Sequence, residues 1–156
     1  MAHLAKMMFV VINEQWENKI FQQNPCTAFF GRGCFGYVDT FPIKIQRPKK
    51  KEWRRATYSG KYKHHVLKVQ VIVDHGGRPI YISGPHIGVQ SDIRLWKKYG
   101  PHVEPGLTVL GDKAYIGDPS ILAPYKKSNG GKLSEGKKAF NQIHSWFRAS
   151  VEHTFA

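Results

Sequence analysis

The spacing of apolar residues predicts a helix near each end of the chain. Residues 4–21 carry apolar side chains at mostly helical spacing and are followed by the helix-breaking pair Asn24-Pro25. From Ser134 onwards, apolar residues recur every three or four positions, which is the period of an amphipathic helix. The members of this apolar stripe are Phe140, Ile143, Phe147, Val151 and Phe155. Both helices are expected to pack against a core formed by the residues between them.

The middle of the chain is rich in strand patterns. Residues 34–39 follow a glycine-rich stretch and are predicted to form a strand that ends on Asp39. Residues 65–74 and 79–83 are two β-rich runs, and the His75-Gly76-Gly77-Arg78 segment between them favours a hairpin turn. We therefore predict that the first three strands form an antiparallel meander. A fourth, buried strand is predicted at 107–110 and leads into Gly111-Asp112.

The remaining segments supply helices and loops. Ser91-Asp92 is a good start for a helix over residues 91–99, and Gly100-Pro101 is expected to stop it. A short helix is predicted at 119–122, a loop at 124–131, and a charged loop with interspersed aromatic residues at 46–63. This order of elements indicates an α/β fold with a mixed sheet of about five strands, the antiparallel three-strand meander plus parallel strands, flanked by helices.

The composition fits one globular domain. The chain has 156 residues, of which 41% are hydrophobic, too many for a disordered chain. It contains only two cysteines, which excludes a disulfide scaffold and favours a reducing compartment. The longest apolar run, residues 7–12, is shorter than a signal peptide or a membrane span requires. We expect an intracellular protein without a membrane partner.

The charge of the chain points to a polyanionic partner. Its 24 Lys and Arg against 11 Asp and Glu give a net charge of +13, and its pI is about 9.9. Such a charge favours nucleic acid binding, with a nuclear location if the source is a eukaryote. The candidate nucleic-acid-binding residues are Lys49, Lys50, Lys51, Arg54, Arg55, Lys61, Lys63 and Arg148. The alternatives are a nuclear-address signal for residues 49–51 with Arg54 and Arg55, and a solvated strand face for Lys61, Lys63 and His64.

Acidic residues are scarce in this chain, and three of them fall where a site can form. Asp39 and Asp112 are predicted at strand ends, and Glu152 follows Val151 of the apolar stripe, at the edge of the core. Three carboxylates in a partly desolvated pocket repel one another unless a cation neutralises them, and hard oxygen ligands suit Mg²⁺ or Mn²⁺. Singly, each acid also has an ordinary interpretation: a strand-end residue, a turn former and a surface partner of Arg148.

An ordered set of motifs over about residues 34–156 resembles the transposases of Harbinger-type elements and their bacterial insertion-sequence relatives, the DDE superfamily endonucleases. Near the first acid the motifs are Gly36-Tyr37-Val38-Asp39-Thr40, Pro42, Ile45, Arg47-Pro48, Tyr58-Ser59-Gly60-Lys61-Tyr62-Lys63-His64-His65 and Lys68-Val69-Gln70-Val71. Further along they are Ser91-Asp92, Gly111-Asp112-Lys113-Ala114-Tyr115, Pro124-Tyr125-Lys126, Asn141 and the segment from Arg148 to Phe155.

The resemblance implies an RNase H-like fold in which Asp39, Asp112 and Glu152 are the catalytic metal ligands. It implies hydrolysis of a DNA phosphodiester by a two-metal mechanism, then transfer of the freed 3′ hydroxyl to target DNA, which is DNA recombination. Residues 34–156 would form the catalytic domain, with its last helix truncated, and residues 1–33 an N-terminal helix and linker. Asp92 matches an accessory acid of the family, although its position also suits a helix cap.

Three functions remain open at this point. The leading one is a metal-dependent DNA endonuclease or transposase. The second is a catalytically inactive, domesticated or truncated transposase derivative that binds DNA, and the third is an RNA nuclease of similar fold. No helix-turn-helix is recognisable in the first 33 residues, so a separate DNA-reading partner or a homo-oligomer is expected to supply sequence recognition.

Overall fold

The structure, a computed structural model, describes residues 33–128 and 130–152, except for the side chains of residues 150–152. The helix predicted at 4–21 lies outside the described residues, and the domain boundary after residue 33 stays a prediction. None of the described helices is both long and apolar enough to cross a bilayer.

The described residues form six strands, three α-helices and one 3₁₀ turn. The strands are β1 (Cys34–Lys44), β2 (Tyr58–Ser59), β3 (His64–Val73), β4 (Pro79–Ile87), β5 (Thr108–Leu110) and β6 (Ile121–Leu122). The helices are α1 (Lys51–Thr57), α2 (Asp92–Tyr99) and α3 (Glu135–Glu152), and a 3₁₀ turn covers Lys113–Tyr115.

The six strands form one mixed sheet. β3 pairs antiparallel with β1 and with β4, so the predicted meander is confirmed. β5 pairs parallel with β1, and β6 pairs parallel with β5. The two-residue β2 pairs with the first residues of β3. The order β4-β3-β1-β5-β6 and the helices beside it confirm the α/β class and fit the RNase H-like fold.

Each face of the sheet has its own apolar cluster, because side chains of a strand alternate between the two faces. The first cluster packs the sheet against α3 and includes Tyr37 of β1 and Phe147 of α3. The second packs the opposite face against α2 and includes Val38 of β1 and Trp96 of α2. The alternation of Tyr37 and Val38 therefore assigns the odd-numbered residues that follow in β1 to the α3 face and the even-numbered residues to the α2 face.

The prediction that β1 ends on Asp39 is wrong. The strand runs on to Lys44 because its backbone stays paired with β3 as far as the Lys44 and Val66 pair. Asp39 lies inside the strand, opposite Val71. The first candidate acid therefore occupies a rigid position in the sheet and not a loop boundary.

Two further predictions are wrong in local detail. Residues 119–122 do not form a helix: the carbonyl of Ser120 accepts a hydrogen bond from the Val109 amide and that of Leu122 from the Gly111 amide, which makes β6 a strand. Residues 46–63 are not only a loop, since they include α1 and β2. Thr57 at the end of α1 is fully buried and donates a 2.6 Å hydrogen bond to the Trp53 carbonyl, which holds that helix together.

Polar side chains of α3 contact the backbone of β6 and of the loop that follows it. The side-chain amide of Asn141 makes two hydrogen bonds to the backbone of Tyr125, of 2.8 and 3.0 Å. His144 is 1% exposed, and its Nε2 lies 3.0 Å from the carbonyl oxygen of Leu122 in β6. Burial lowers the pKa of His144, as does the nearby charge of Arg148. The neutral imidazole is therefore the form that fits this interface.

We predict that Gly36→Ala destabilises the fold. A Cβ at Gly36 would overlap the Val73 carbonyl oxygen and lie 3.2 Å from Ile72 Cγ2, inside the paired strands. Overpacking of this kind costs about 1–3 kcal/mol. Gly60→Ala is the matched control, because nothing lies within 4 Å of a Cβ there. Urea unfolding should show the loss for the first variant only; equal stability of the two variants would contradict the β1–β3 register.

We predict that His144 makes the fold less stable as the pH falls below about 6.5, the ordinary pKa of this residue. The unfolded chain binds the proton first because burial lowers the pKa in the folded state, so stability falls until the pH reaches the folded pKa. Urea unfolding between pH 8 and pH 5 should therefore depend less on pH for His144→Gln than for the wild type. The difference at pH 8, where the imidazole is neutral in both states, gives the cost of the substitution itself. Parallel pH curves would contradict the assignment.

Candidate active site

Asp39 lies in β1, and Asp112 lies two residues beyond the end of the neighbouring parallel strand β5. Tyr37 of β1 pairs with Leu110 of β5, and each acid follows two residues after its member of that pair. Neighbouring strands lie about 4.7–4.9 Å apart. The register therefore places two acids that are far apart in the sequence on neighbouring segments of the sheet, and their joint role as metal ligands stays a prediction.

The Asp39 carboxylate is partly desolvated and has two partners. Its Oδ1 accepts a 2.7 Å hydrogen bond from the Thr40 amide, and its Oδ2 lies 3.7 Å from Nη2 of Arg148 in α3. Burial raises the pKa of Asp39, and the negative charges of Asp112 and Asp92 raise it further, against the opposing effects of the Thr40 amide and Arg148. An added cation would favour the ionised form of this acid.

Asp112 occupies the start of a tight turn beside a cleft. Its Oδ1 accepts a 2.8 Å hydrogen bond from the Ala114 amide, which fixes the carboxylate at the first position of the 3₁₀ turn. A cleft of about 460 Å³ separates this turn from α3. Its lining residues are Asp112, Lys113, Pro124, Asn141, His144, Ser145, Arg148 and Ala149. Arg148, whose guanidinium lies near Asp39, is one of these lining residues.

The third predicted acid, Glu152, is the last residue of α3. It follows Arg148 by one helical turn on the helix that borders the cleft. Its side chain lies outside the described part of the chain, so its convergence with Asp39 and Asp112 stays a prediction.

The structure gives Asp92 a different role from the expected helix cap. Ser91 occupies the cap position of α2 without a side-chain capping bond, and Asp92 is in the first turn. The Asp92 carboxylate forms a 2.9 Å ion pair with Lys68 of β3. Lys68 has the same parity in β3 as Ile72 of the α2-face cluster, so this ion pair lies on the face of the sheet opposite to Asp39. Asp92 acts on Asp39 through its charge.

The donor set suits a hard divalent cation, although it is incomplete among the described side chains. Carboxylate oxygens are the ligands that Mg²⁺ and Mn²⁺ prefer. No three His, Cys, Asp or Glu side chains come together as a metal site within residues 33–128 and 130–149. Two of the three predicted ligands, Asp39 and Asp112, are described and adjacent. The third predicted ligand, Glu152, stays a prediction because its side chain lies outside the described part of the chain.

A second, basic cleft lies beyond the C-terminal end of β1. It has a volume of about 900 Å³, and none of the residues that line it is acidic. The lining residues are Lys44, Ile45, Gln46, Arg47, Lys51, Arg54, Arg55, Tyr58, Lys63, His64 and His65. Lys51, Arg54, Arg55 and Lys63 are thus brought together among the predicted nucleic-acid-binding residues, whereas Lys49, Lys50 and Lys61 are exposed outside the lining.

Sequence reasoning missed two groups of buried polar residues beside the acids. One is His144, which lines the cleft and sits next to the predicted apolar stripe of α3. The other is a set of hydrogen-bonded side chains from Thr40, Gln70 and Tyr115, the last two of which are 0% exposed. The polar Gln70 within the apolar run of β3 was the available signal for the second group.

The chain is similar in sequence to known proteins. Over 120 residues, or 74% of its length, the chain is 33% identical to a protein from Microchaete diplosiphon described as a probable transposase for insertion sequence element IS702, and it covers 43% of that protein. A protein from Streptomyces albus G, likewise described as a transposase, for insertion sequence element IS112, is 31% identical over 90 residues, which are 56% of this chain and 35% of that protein.

The chain spans less than half the length of these curated relatives. No solved structure matches it. The family model of the DDE superfamily endonucleases matches residues 38–156, which include Asp39, Asp112 and Glu152. The matched region covers most of the chain and all of the candidate site. The chain therefore belongs to the DDE superfamily endonucleases.

Proposed function

We propose that this chain is the catalytic core of a transposase that cuts DNA phosphodiester bonds with the help of divalent metal ions. The observation that carries the proposal is the placement of Asp39 and Asp112 at one level of the parallel β1–β5 pair, beside a cleft that Arg148 lines. Family membership and the likeness to insertion-sequence transposases support the same activity.

Asp39, Asp112 and Glu152 would hold the metal. Mg²⁺ or Mn²⁺, bound as a pair, would activate the attacking water and stabilise the leaving oxygen of the phosphodiester. Support comes from the surroundings of Asp39, whose pKa is raised by burial and further by the negative charge of Asp112. The position of Glu152, one turn after Arg148 on α3, also supports the proposal, because residues four apart share a helix face.

Arg148 would have a different role in the free and DNA-bound protein. In the free protein its guanidinium lies 3.7 Å from Asp39 and offsets part of the carboxylate charge. The same side chain lines the cleft and is a fork-shaped donor suited to a phosphate. Arg148 would therefore turn to the DNA backbone once cations and substrate enter the site.

The basic cleft would bind DNA at a distance from the cut bond. Lys44 follows Asp39 by five residues of one strand, or about 16 Å at 3.3 Å per residue. A DNA strand advances about 3.4 Å per nucleotide, so a strand that follows β1 would reach this cleft after about five nucleotides. The exposed Lys49, Lys50 and Lys61 would extend the contact along the backbone.

The proposal extends to the location of the protein, its partners and the completion of the reaction. A transposase acts on genomic DNA, so we place the protein inside the cell, and in the nucleus if the source is a eukaryote. Recognition of the transposon end would come from a second copy of the chain or from a separate DNA-reading protein. Strand transfer to target DNA would complete the recombination reaction.

We predict that Asp112→Asn abolishes nicking of plasmid DNA with Mg²⁺ or Mn²⁺ while DNA affinity stays equal or rises slightly. The amide oxygen can still accept the Ala114 amide, but it is a poorer ligand for a hard cation. Loss of a partner that only supports a metal ligand costs 10–100-fold, so loss of the ligand should cost more than about 100-fold. Affinity should not fall because phosphate contacts come from Lys and Arg.

Glu104→Gln is the control for this experiment, since Glu104 is an exposed acid and its side chain is 66% accessible. It should nick DNA as the wild type does. A wild-type protein that binds DNA and never nicks it with either metal would overturn the catalytic proposal. That result would assign the chain to the inactive, domesticated or truncated DNA-binding derivatives. Preferential cutting of RNA would instead identify an RNA nuclease.

We predict that DNA binding depends steeply on salt and that the basic cleft contributes to this dependence. Each phosphate contact adds about −0.9 to the slope of log affinity against log salt concentration, so Ala at Arg47, Lys51 and Arg54 should flatten the slope by up to about 3. The matched control replaces three exposed cations of α2, Arg94, Lys97 and Lys98. Equal slopes for both triple variants would make the cleft a solvated surface.

A further inference from the structure

A set of three hydrogen-bonded polar side chains, two of them fully buried, lies on the α2 face of the sheet, opposite to Asp39. The hydroxyl oxygens of Thr40 and Tyr115 are 2.6 Å apart, and Nε2 of Gln70 donates to the Tyr115 hydroxyl over 3.2 Å. Tyr115 and Gln70 are both 0% exposed. Polar atoms buried to this extent are costly unless they are hydrogen-bonded, so these contacts constrain the positions of all three side chains.

The Thr40–Tyr115 contact joins the two segments that carry the acids. Thr40 follows Asp39, and its amide holds Oδ1 of that carboxylate. Tyr115 is the last residue of the turn that Asp112 begins, and its amide donates to the Asp112 carbonyl over 3.1 Å. One hydrogen bond therefore closes a short path from one carboxylate to the other, between residues that are 75 positions apart in the chain.

The aromatic ring of Tyr115 is held in place by its neighbours. It lies edge-on to the ring of Trp96, with centroids 6.4 Å apart and planes at 88°. A Cβ at Gly111 would lie only 3.2 Å from Tyr115 Cβ and 2.8 Å from Ile121 Cγ2, so the backbone before Asp112 is pressed against the same residues. Because the ring is fixed and the backbone before Asp112 is closely packed, a shift of the Tyr115 hydroxyl would also shift Asp112.

We infer that the Tyr115 hydroxyl, through Thr40, is a positioning group that sets the separation of Asp39 and Asp112. The inference rests on the proposed metal-dependent function of these acids. Burial raises the pKa of Tyr115 far above its ordinary value, so the hydroxyl keeps its proton and can donate. Tyr115 does not touch the reacting atoms, and it acts only through the two carboxylates.

The alternative is a hydrogen bond that stabilises the fold and nothing more. Both interpretations expect Tyr115→Phe and Thr40→Val to lower the free energy of unfolding. Only the positioning role expects them to change metal binding, because a purely structural bond can be lost without moving the carboxylates in the molecules that remain folded. Metal affinity of the folded protein therefore separates the two.

The experiment measures Mn²⁺ binding by titration calorimetry and plasmid nicking for Tyr115→Phe, Thr40→Val, the double variant and Thr40→Ser. Thr57→Val is the control, because Thr57 is 0% exposed like Tyr115 and its hydroxyl contacts the Trp53 carbonyl and His65 Nδ1, away from the acids. Loss of a group that orients metal ligands costs about 10–100-fold in metal affinity or activity. We expect that loss in Mn²⁺ affinity and in kcat for each single variant, with KM for DNA unchanged.

The double variant should be no worse than the single variants, since all remove the same contact. Thr40→Ser should retain wild-type values because it keeps the hydroxyl, and Thr57→Val should lose stability alone. Wild-type Mn²⁺ affinity and kcat in Tyr115→Phe would overturn the inference and leave the proposed function intact. If that variant does not fold, Thr40→Val decides by the same criterion. A wild-type protein that neither binds Mn²⁺ nor nicks DNA would overturn both.

Discussion

The parallel pairing of β1 with β5 is the constraint on which the rest of the candidate site depends. The Tyr37 and Leu110 register fixes the level at which each strand passes through the sheet, and Asp39 and Asp112 follow that pair by the same two residues. Apolar clusters on both faces make the pairing rigid, with Val109 and Leu110 both 0% exposed. Asp39 lies within β1 and Asp112 only two residues beyond β5, so the core of the domain holds both acids close to rigid strands.

Electrostatics gives this placement a chemical consequence. The chain carries a net charge of +13, yet two of its few acids lie side by side where burial raises the pKa of Asp39. Two neighbouring carboxylates repel each other unless cations offset their charge. The guanidinium of Arg148, 3.7 Å from the Asp39 carboxylate, offsets only part of it. The basic cleft at the far end of β1 has the opposite character. One strand thus connects a surface suited to cations with a surface suited to phosphates.

Much of this fold follows from local patterns in the sequence. The β3–β4 hairpin, α2 and α3 were predicted to within a few residues, because turn chemistry and helical periodicity are properties of neighbouring residues. The extension of β1 to Lys44 was not predicted, since it depends on pairing with a strand more than twenty residues later in the sequence. The same reason applies to β6, two residues that become a strand only by pairing with β5.

The candidate site was likewise predictable from the sequence only in part. Asp39 and Asp112 were selected by strand patterns and by resemblance, and the sheet brings them together. The role of Tyr115 could not be predicted, because its hydroxyl meets Thr40 only after β1 and the turn beyond β5 are assembled. The burial of His144 was not predicted, because a histidine beside an apolar stripe is typical of the exposed face of a helix. In the structure, the Leu122 carbonyl gives this side chain a buried partner. Contacts between distant segments of the chain cannot be predicted from the spacing of residues alone.

A crystal structure of the protein soaked with Mn²⁺, with anomalous scattering recorded to locate the ions, tests the central claim most directly. The account predicts anomalous peaks with carboxylate oxygens of Asp39 and Asp112 at about 2 Å, completed by a carboxylate oxygen of Glu152. Arg148 should then have moved away from Asp39. Anomalous peaks only at other acids, with Glu152 turned away from both aspartates, would contradict it.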